Sequence, residues 1–270
     1  MENKLETARL IINEADKQMA ELFVKRMQAA QLVFEHKKEY GLPILDQKRE
    51  EAVIAANTAR IDDDGLKGYY VDFLKHLMTL SREYQYTMQR SMKVACPGTE
   101  EDLSSVMAGR IFPEGCLVSC PDPAAAYGAV ATGDCDAAVL SLETGMDLIY
   151  SGELFVNGIY EAITADNEEK PARFAVLSKK KAESPALRCS VILFTPKESY
   201  EDAISILEEY GFQTVLLKTK AMAGNPGEQY CYAEIDGSIK TDTHGNLMER
   251  LEQVCDRVKI AGSFVPHAVI

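Results

Sequence analysis

Two basic residues, Arg26 and Lys37, have the spacing expected of a site for a small dianion. If the segment between them is helical, eleven positions turn through about 1100° and leave both side chains on one face, about 16 Å apart. Two long, positively charged side chains can converge across that gap on a single ligand. The pair therefore indicates an anion pocket on the face of a helix.

Further polar residues recur at helical intervals downstream. Asp46, Arg49 and Glu50 are related by three and four positions, which places them on one face of a helix. Ser81 and Gln85 are four positions apart and share a face in the same way. Charged residues are mostly solvated on protein surfaces, so periodicity alone predicts no more than a helical dimer with an anion pocket.

Arg9 lies too far along the chain to join this group within one subunit. It precedes Arg26 by 17 positions, which is about 25 Å along a helix. In an antiparallel dimer, however, the side chain could reach the site of the other subunit. Arg9 is therefore a candidate only if the protein pairs through this segment.

Three helices account for the positions of these residues. Apolar residues recur at helical spacing over residues 4–39, and Gly41 and Pro43 end the pattern. Asp46 is a candidate N-cap of a second helix that runs to about residue 61, and a third helix is predicted over 66–89. The first helix would be about 50 Å long, more than a domain of this size is wide, which predicts an intertwined homodimer.

The character of the chain changes after residue 91. The segments KVAC, GCLVS, DAAVLSLE and ARFAVLS are predicted to be short buried strands, and PDPAAAYGAVATG is predicted to be a helix with a glycine stop. After a linker, SKKKAESP, residues 187–270 give the order βαββαβ of a ferredoxin-like fold. The predicted domains are residues 1–90, all-α, residues 91–182, α/β, and residues 186–270, ferredoxin-like.

Composition narrows the classes of partner. The net charge of −13 argues against nucleic acid or an anionic membrane surface. The seven cysteines form no regular pair, which favours free thiols in a reducing cytoplasm and no metal site. We expect neither a signal peptide nor a membrane span, because the N-terminal residues carry charges throughout.

The N-terminal segment resembles the helical chorismate mutase family. The resemblance lies in ARLIINEADKQMAELFVKRMQAAQLVFEHKKEYGLPILDQKREEAV and in LMTLSREYQ, and it covers residues 4–89. It implies conversion of chorismate to prephenate, for phenylalanine and tyrosine biosynthesis, without cofactor, metal, nucleophile, acid or base. The substrate-binding positions of the family fall on Arg9, Arg26, Lys37, Asp46, Arg49, Glu50, Ser81 and Gln85.

The resemblance also implies a role for each residue. Arg26 and the partner subunit's Arg9 would hold the two carboxylates, with support from Arg49. Lys37 and Gln85 would donate hydrogen bonds to the ether oxygen, where negative charge grows in the transition state. The carboxylate of Glu50 would accept from the substrate hydroxyl, while Asp46 and Ser81 would orient the pocket.

The order of the three segments resembles the bifunctional chorismate mutase–prephenate dehydratases, which end in an ACT regulatory domain. The middle segment has about half the length of the family's two-lobed dehydratase domain, and Glu143 alone matches one family motif in type. Where the family has Thr-Arg-Phe, this chain has Ala172, Arg173 and Phe174, so the catalytic hydroxyl is absent. A site without its second lobe cannot exclude water or position a substrate, and we expect a degenerate, inactive dehydratase-like domain.

The ACT-like segment departs from its family in a similar way. Ser199 and Tyr200 stand where a glycine allows close approach to an amino-acid effector, and Lys218 replaces an acidic residue. A cation there disfavours the ammonium group of phenylalanine. Two roles stay open at this stage: an amino-acid effector site, or a domain that pairs subunits.

Two other functions compete with a chorismate mutase that carries a degenerate dehydratase. One is a working bifunctional chorismate mutase and prephenate dehydratase, which Ala172 opposes. The other is a non-catalytic amino-acid sensor or scaffold, in which drift should have broken some of the eight polar positions.

Overall fold

The computed structural model describes residues 3–164, 167–182, 189–196, 200–221, 229–237, 239 and 245–264. The chain divides into two compact units, Met1–Lys38 with Pro43–Ser91, and Glu39–Leu42 with Met92–Ile270. Among the described residues, no helix is both long and apolar enough to cross a membrane.

The first unit consists of three helices, as the sequence predicts. They are α1 (Lys4–Tyr40), α2 (Gln47–Thr58) and α3 (Asp64–Gln89). α1 contains neither glycine nor proline, and the chain leaves it through Gly41, whose φ of 62° suits a residue without Cβ. Asp46 is the predicted N-cap of α2, and its side chain accepts a hydrogen bond from the backbone N–H of Arg49 at 3.0 Å.

The two halves of α1 differ in how much of their surface is covered. Every described residue from 3 to 25 is exposed, whereas Ala30 and Phe34 are buried in the second half. Several large apolar side chains are among the exposed ones: Leu5, Leu10, Ile11, Ile12, Met19, Leu22, Phe23 and Val24. Within one chain, the first half of α1 therefore has no core to pack on.

The second unit begins with an α/β region. Its elements are β1 (Lys93–Pro97), α4 (Leu103–Ile111), β2 (Cys116–Cys120), α5 (Pro123–Thr132), β3 (Ala137–Ser141), α6 (Leu142–Ser151), β4 (Phe155–Thr164) and β5 (Asn167–Ser178). The predicted helix with a glycine stop is α5, which ends at Gly133 with φ 95°.

Three details of this region differ from the sequence prediction. The segment DAAVLSLE does not remain a strand, because Ser141 ends β3 and its Oγ caps α6 by accepting from the backbone N–H of Glu143 at 3.3 Å. The segment GCLVS is not buried, because β2 is an edge strand and its side chains are mostly exposed. α4 and β4 were not predicted from the sequence.

The remaining elements follow the predicted βαββαβ order. They are β6 (Cys189–Pro196), α7 (Tyr200–Glu209), β7 (Gln213–Ala221), β8 (Gln229–Asp236), α8 (Leu247–Val254) and β9 (Cys255–Phe264). The four strands are antiparallel in the order β9-β6-β8-β7, as in a ferredoxin-like fold. Part of the predicted linker, residues 183–185, and Ser199 lie outside the described residues.

The nine strands found among the described residues of the second unit join one mixed sheet, in the order β2-β1-β3-β5-β4-β9-β6-β8-β7. The junction is a parallel contact between Val156 of β4 and Gly262 of β9. A Cβ at position 262 would lie 1.8 Å from the carbonyl oxygen of Val156, so only glycine permits this approach. One hydrophobic cluster also spans both regions, since Leu140 and Ile149 share it with Tyr232 and Phe264.

Candidate functional site

The helical unit contains a concave cavity of about 520 Å³, counting the space at its open mouth. Residues from all three helices and from the loop before α2 line it: Arg26, Lys37, Ile44, Asp46, Arg49, Glu50, Val53, Met78, Ser81, Arg82 and Gln85. Seven of the eight predicted site residues are in this set, and the exception is Arg9, which lies on the exposed first half of α1. Eight of these eleven lining residues are polar or charged, and Ile44, Val53 and Met78 add apolar surface.

Arg26 reaches the cavity from α1 and contacts α3. Its Nη1 donates to the Oγ of Ser81, and the carbonyl oxygen of Leu77 lies 3.5 Å from the same nitrogen. Burial lowers the pKa of Arg26 from its ordinary value, and the nearby charge of Glu50 partly offsets that effect. A guanidinium in such surroundings remains charged and has lost part of its water shell, which strengthens its attraction for an anion.

Lys37 lies about three turns further along α1. Its Nζ donates to the carbonyl oxygen of Ile44 in the loop before α2. Burial lowers the pKa of Lys37, while the charges of Asp46 and Glu50 act in the opposite direction. An ammonium group has three donors, so Lys37 retains the capacity to bind a ligand oxygen beside this contact.

The start of α2 supplies three of the predicted residues. Asp46 is held by its capping hydrogen bond to the backbone of Arg49, and the backbone N–H of Glu50 donates to the carbonyl oxygen of Asp46 at 3.0 Å. Because the cap fixes the first turn, the side chains of Arg49 and Glu50 are presented together to the cavity. The i, i+3, i+4 spacing noted in the sequence is therefore realised as one polar turn.

Ser81 and Gln85 form the buried polar wall on α3. They are 6% and 7% exposed, and the Nε2 of Gln85 donates to the carbonyl oxygen of Ser81 at 3.2 Å. Within the part of the chain that the structure describes, the Oε1 of Gln85 has no hydrogen-bond partner. A buried amide with an unsatisfied atom is costly, which favours a bound water or ligand at this point.

Arg82 is a cavity residue that the sequence analysis missed. Its Nη1 donates to both carboxylate oxygens of Glu50, at 2.6 Å for Oε1, so that α3 and α2 are linked across the cavity wall. The two residues are 32 positions apart, and no local spacing relates them. Arg82 itself lies within the segment SREYQ, between the predicted site residues Ser81 and Gln85, and this position was the signal in the sequence that pointed to it.

The charges around the cavity do not cancel. Two carboxylates, of Asp46 and Glu50, face four basic side chains: Arg26, Lys37, Arg49 and Arg82. The lining therefore carries a net charge of about +2, in a protein whose overall charge is −13. The arrangement can bind a compact dianion and stabilise negative charge that develops on it.

In the second unit, Arg173, the arginine compared with the family's Thr-Arg-Phe motif, is bound by carboxylates of the protein itself. Arg173 on β5 donates to the two carboxylate oxygens of Glu234 at 2.6 and 2.8 Å, and its Nε donates to Glu161 at 3.0 Å. Burial alone would lower the pKa of Arg173, but the hydrogen bonds and charge of Glu234 raise it above the ordinary value, with smaller contributions from Tyr232 and Glu161. This guanidinium is occupied by protein carboxylates on two sides.

The other residues compared with the dehydratase and ACT families are not among the residues that line this cavity. Ala172 is half-buried and pairs with Ala162 across two strands. Glu143 is an exposed residue in the first turn of α6. Lys218 is exposed on the edge strand β7, and Tyr200 packs partly against the core of the βαββαβ region. Among the described residues, no group of three or more His, Cys, Asp or Glu side chains could hold a metal ion.

The chain is similar to known proteins in sequence and in structure. Residues 8–86 match the family model of chorismate mutase type II. A bifunctional chorismate mutase/prephenate dehydratase of Enterobacter agglomerans is 24% identical over 125 residues, which are 44% of this chain and 32% of that protein. The chain thus spans about a third of the length of the curated relative that it matches.

Two solved structures share the fold of a large part of the chain. Prephenate dehydratase from Arthrobacter aurescens, solved in complex with L-Phe, has a TM-score of 0.56 at 10% identity, over 66% of this chain and 93% of that one. GqqA, described as a novel type of quorum-quenching acylase, has a TM-score of 0.54 at 17% identity, over 65% of this chain and 95% of that one. At such identities the likeness shows the fold alone, an α/β region with a mixed sheet as in prephenate dehydratase.

Proposed function

We propose that this protein converts chorismate to prephenate in the cavity of its helical unit, because residues 8–86 match the family model of chorismate mutase type II. One observation carries the proposal: seven of the eight side chains that the family resemblance implies for substrate binding line the same cavity. That cavity has an excess of positive charge, as a dianionic substrate requires.

The reaction is an intramolecular rearrangement, so the protein has to hold a reactive conformer and stabilise the charge that develops. We assign one substrate carboxylate to Arg26 and place Arg49 in support, because a guanidinium forms two parallel hydrogen bonds with a carboxylate. Ser81 already accepts from Arg26 and thereby orients it. Asp46 fixes the turn that presents Arg49.

Negative charge grows on the ether oxygen as its bond to carbon breaks. Lys37 and Gln85 are the proposed donors to that oxygen, one as a partly desolvated ammonium and one as a buried amide. The Nε2 of Gln85 uses one N–H on Ser81 and has a second available. Glu50 is the proposed acceptor for the substrate hydroxyl.

The second carboxylate of the substrate requires a further cation, and we propose Arg9 of the partner subunit for it. The first half of α1 is exposed and carries a stripe of large apolar side chains, which a second copy of the helix would cover. The exposure of that stripe in the single chain supports a homodimer in which each α1 completes the site of the other subunit.

We further propose that the α/β region has no prephenate dehydratase activity. Ala172 provides no hydroxyl at the position where the dehydratase family has threonine, and Arg173 is held by Glu234 and Glu161. These contacts occupy three of the five N–H donors of the guanidinium, so a substrate carboxylate would have to bind beside two protein carboxylates. The competing proposal of a bifunctional enzyme requires that the charge of these carboxylates be overcome.

The βαββαβ region keeps the two roles proposed from the sequence, an amino-acid effector site and the pairing of subunits. The solved structure from Arthrobacter aurescens holds L-Phe. In this chain, exposed Lys218 disfavours the ammonium group of such a ligand. A titration of the purified enzyme with phenylalanine distinguishes the roles, since an effector changes the rate and a pairing domain does not respond.

The test of the proposed function is an assay of the purified full chain. We expect chorismate to be consumed and prephenate to accumulate, with no conversion of prephenate to phenylpyruvate. Formation of phenylpyruvate would instead establish the bifunctional enzyme. Absence of any chorismate turnover by a folded dimer would favour the non-catalytic sensor or scaffold and would refute the proposal.

A further inference from the structure

Arg82 is fixed at both ends of its guanidinium group. Nη1 donates to the two carboxylate oxygens of Glu50, and Nη2 donates to the Oγ1 of Thr79 at 3.0 Å. The hydroxyl of Thr79 in turn donates to the carbonyl oxygen of Lys75 at 3.1 Å on the same helix. The side chains of Arg82 and Glu50 are both about one-quarter exposed, so neither is freely solvated.

Glu50 also faces the two cations that the proposed function gives to the substrate. Its charge acts on both Arg26 and Lys37, where it opposes the lowering of each pKa by burial. Opposite charges in a partly desolvated cavity attract each other strongly. A Glu50 carboxylate without a partner would therefore move onto Arg26 or Lys37 and compete with a carboxylate ligand.

The charge balance of the cavity depends on the same pair. With Arg82 present, four cations face two carboxylates, and the excess matches a dianion. Without Arg82, one of the three remaining cations would be needed to neutralise Glu50. The cavity would then have a net charge of about +1 for a ligand of charge −2.

We infer that Arg82 is a positioning residue that holds Glu50 away from Arg26 and Lys37, and so reserves these two cations for the substrate. The identity of the substrate in this inference rests on the proposed function, whereas the geometry of the Arg82–Glu50 pair is independent of it. Arg82 acts through Glu50, without contact with the reacting atoms. Thr79 fixes the orientation of the guanidinium group, because it accepts a hydrogen bond from Nη2 while Nη1 binds Glu50.

The first experiment compares R82Q with the matched control R60Q in the full chain. Arg60 is exposed and lies outside the cavity lining, so R60Q makes the same change of charge without touching the site. We expect R82Q to raise KM for chorismate about five- to tenfold, within the range of coupling between neighbouring charged residues. We expect kcat to change less than about twofold, because a bound substrate displaces Glu50 before the chemical step.

The second experiment separates positioning from a general structural role. In an E50Q background the competing charge is gone, so R82Q should no longer raise KM. R82K should restore part of the affinity, since an ammonium can neutralise Glu50 but cannot span to Thr79 as well. An equal rise of KM in the wild-type and E50Q backgrounds would overturn the inference.

A structural measurement tests the inference independently of catalysis. In a crystal structure of R82Q without ligand, we expect the carboxylate of Glu50 within hydrogen-bond distance of Arg26 or Lys37. If Glu50 keeps its position, Arg82 does not hold it and the inference fails, whatever the activity. If Glu50 moves but the wild-type protein does not convert chorismate, the positioning role stands and the proposed function fails.

Discussion

The cavity of the helical unit and the cluster around Arg173 are built from the same residue types but differ in how far their charges cancel. In the cavity, four cations face two carboxylates, and the Oε1 of Gln85 lacks a described partner. Around Arg173, one guanidinium is bound by Glu234 and Glu161, and Glu234 is 4% exposed on its side chain. An excess of cations distinguishes a site for an anionic ligand from an ion pair that stabilises the fold.

A substitution in the cluster around Arg173 should lower the free energy of unfolding more than a substitution of an exposed ion pair. Replacement of Arg173 by methionine leaves the buried carboxylate of Glu234 unpaired, and breaking a buried pair from one side costs about 3–5 kcal/mol of the free energy of unfolding. The measurement is denaturant unfolding of the full chain, monitored by a signal that reports on the second unit. R250Q is the matched control, because the Arg250–Glu209 pair is exposed and its loss should leave the unfolding curve unchanged.

A contrary result would remove the comparison on which the first prediction rests. If R173M unfolds at the denaturant concentration of the wild type, the Arg173 cluster does not stabilise the second unit. The guanidinium would then be available for another purpose, and the case for an inactive dehydratase-like region would be weakened.

Loss of a proposed donor in the open cavity of the helical unit should have the largest effect on kcat. Lys37→Ala removes a donor to the ether oxygen, and loss of one such donor typically lowers kcat by about 10²–10³. Lys48→Ala is the control, since Lys48 is exposed on α2 and does not line the cavity. A near wild-type rate for K37A would withdraw the role assigned to Lys37, because no other lysine is among the described lining residues of the cavity.

Several features of both regions could be predicted from the sequence because they depend on local interactions. The three helices follow from apolar periodicity, and the cap at Asp46 follows from its position before the second helix. The residues of the cavity came from spacing together with family resemblance. The interpretation of DAAVLSLE as one strand also rested on a local pattern, and it was wrong because the capping hydroxyl of Ser141 ends the strand there and begins a helix.

Other features depend on contacts between distant parts of the chain, which spacing does not report. Arg82 and Glu50 lie on different helices, and Arg173 and Glu234 lie on strands of the two regions of the second unit. The segment GCLVS is as apolar as a buried strand, yet its place at the edge of the sheet exposes it. The junction at Gly262 likewise follows from a close approach of β4 that no sequence pattern announces.

Arg9 tests whether the open cavity is completed by a second subunit. Arg9→Ala should lower kcat/KM by about ten- to a hundredfold, on the scale of a lost charged hydrogen bond to a substrate carboxylate. Mixing R9A and K37A subunits should then restore activity, because random pairing in a two-fold dimer gives about a quarter of sites with both residues intact. Activity that does not recover after subunit exchange would place Arg9 outside the site.

The pH dependence of turnover gives the smallest and most specific test of the open cavity. Burial lowers the pKa of Lys37, and the charges of Asp46 and Glu50 oppose this only in part. The ammonium form is the donor, so activity is present below that pKa and is lost as the pH rises through it. We expect kcat/KM to fall on the alkaline side before the pH at which an ordinary lysine loses its proton. Lys37→Arg should remove this decline, since a guanidinium stays charged over the whole range. The same decline in K37R would assign the titration to another group and would show that the cavity does not desolvate Lys37 enough to change its chemistry.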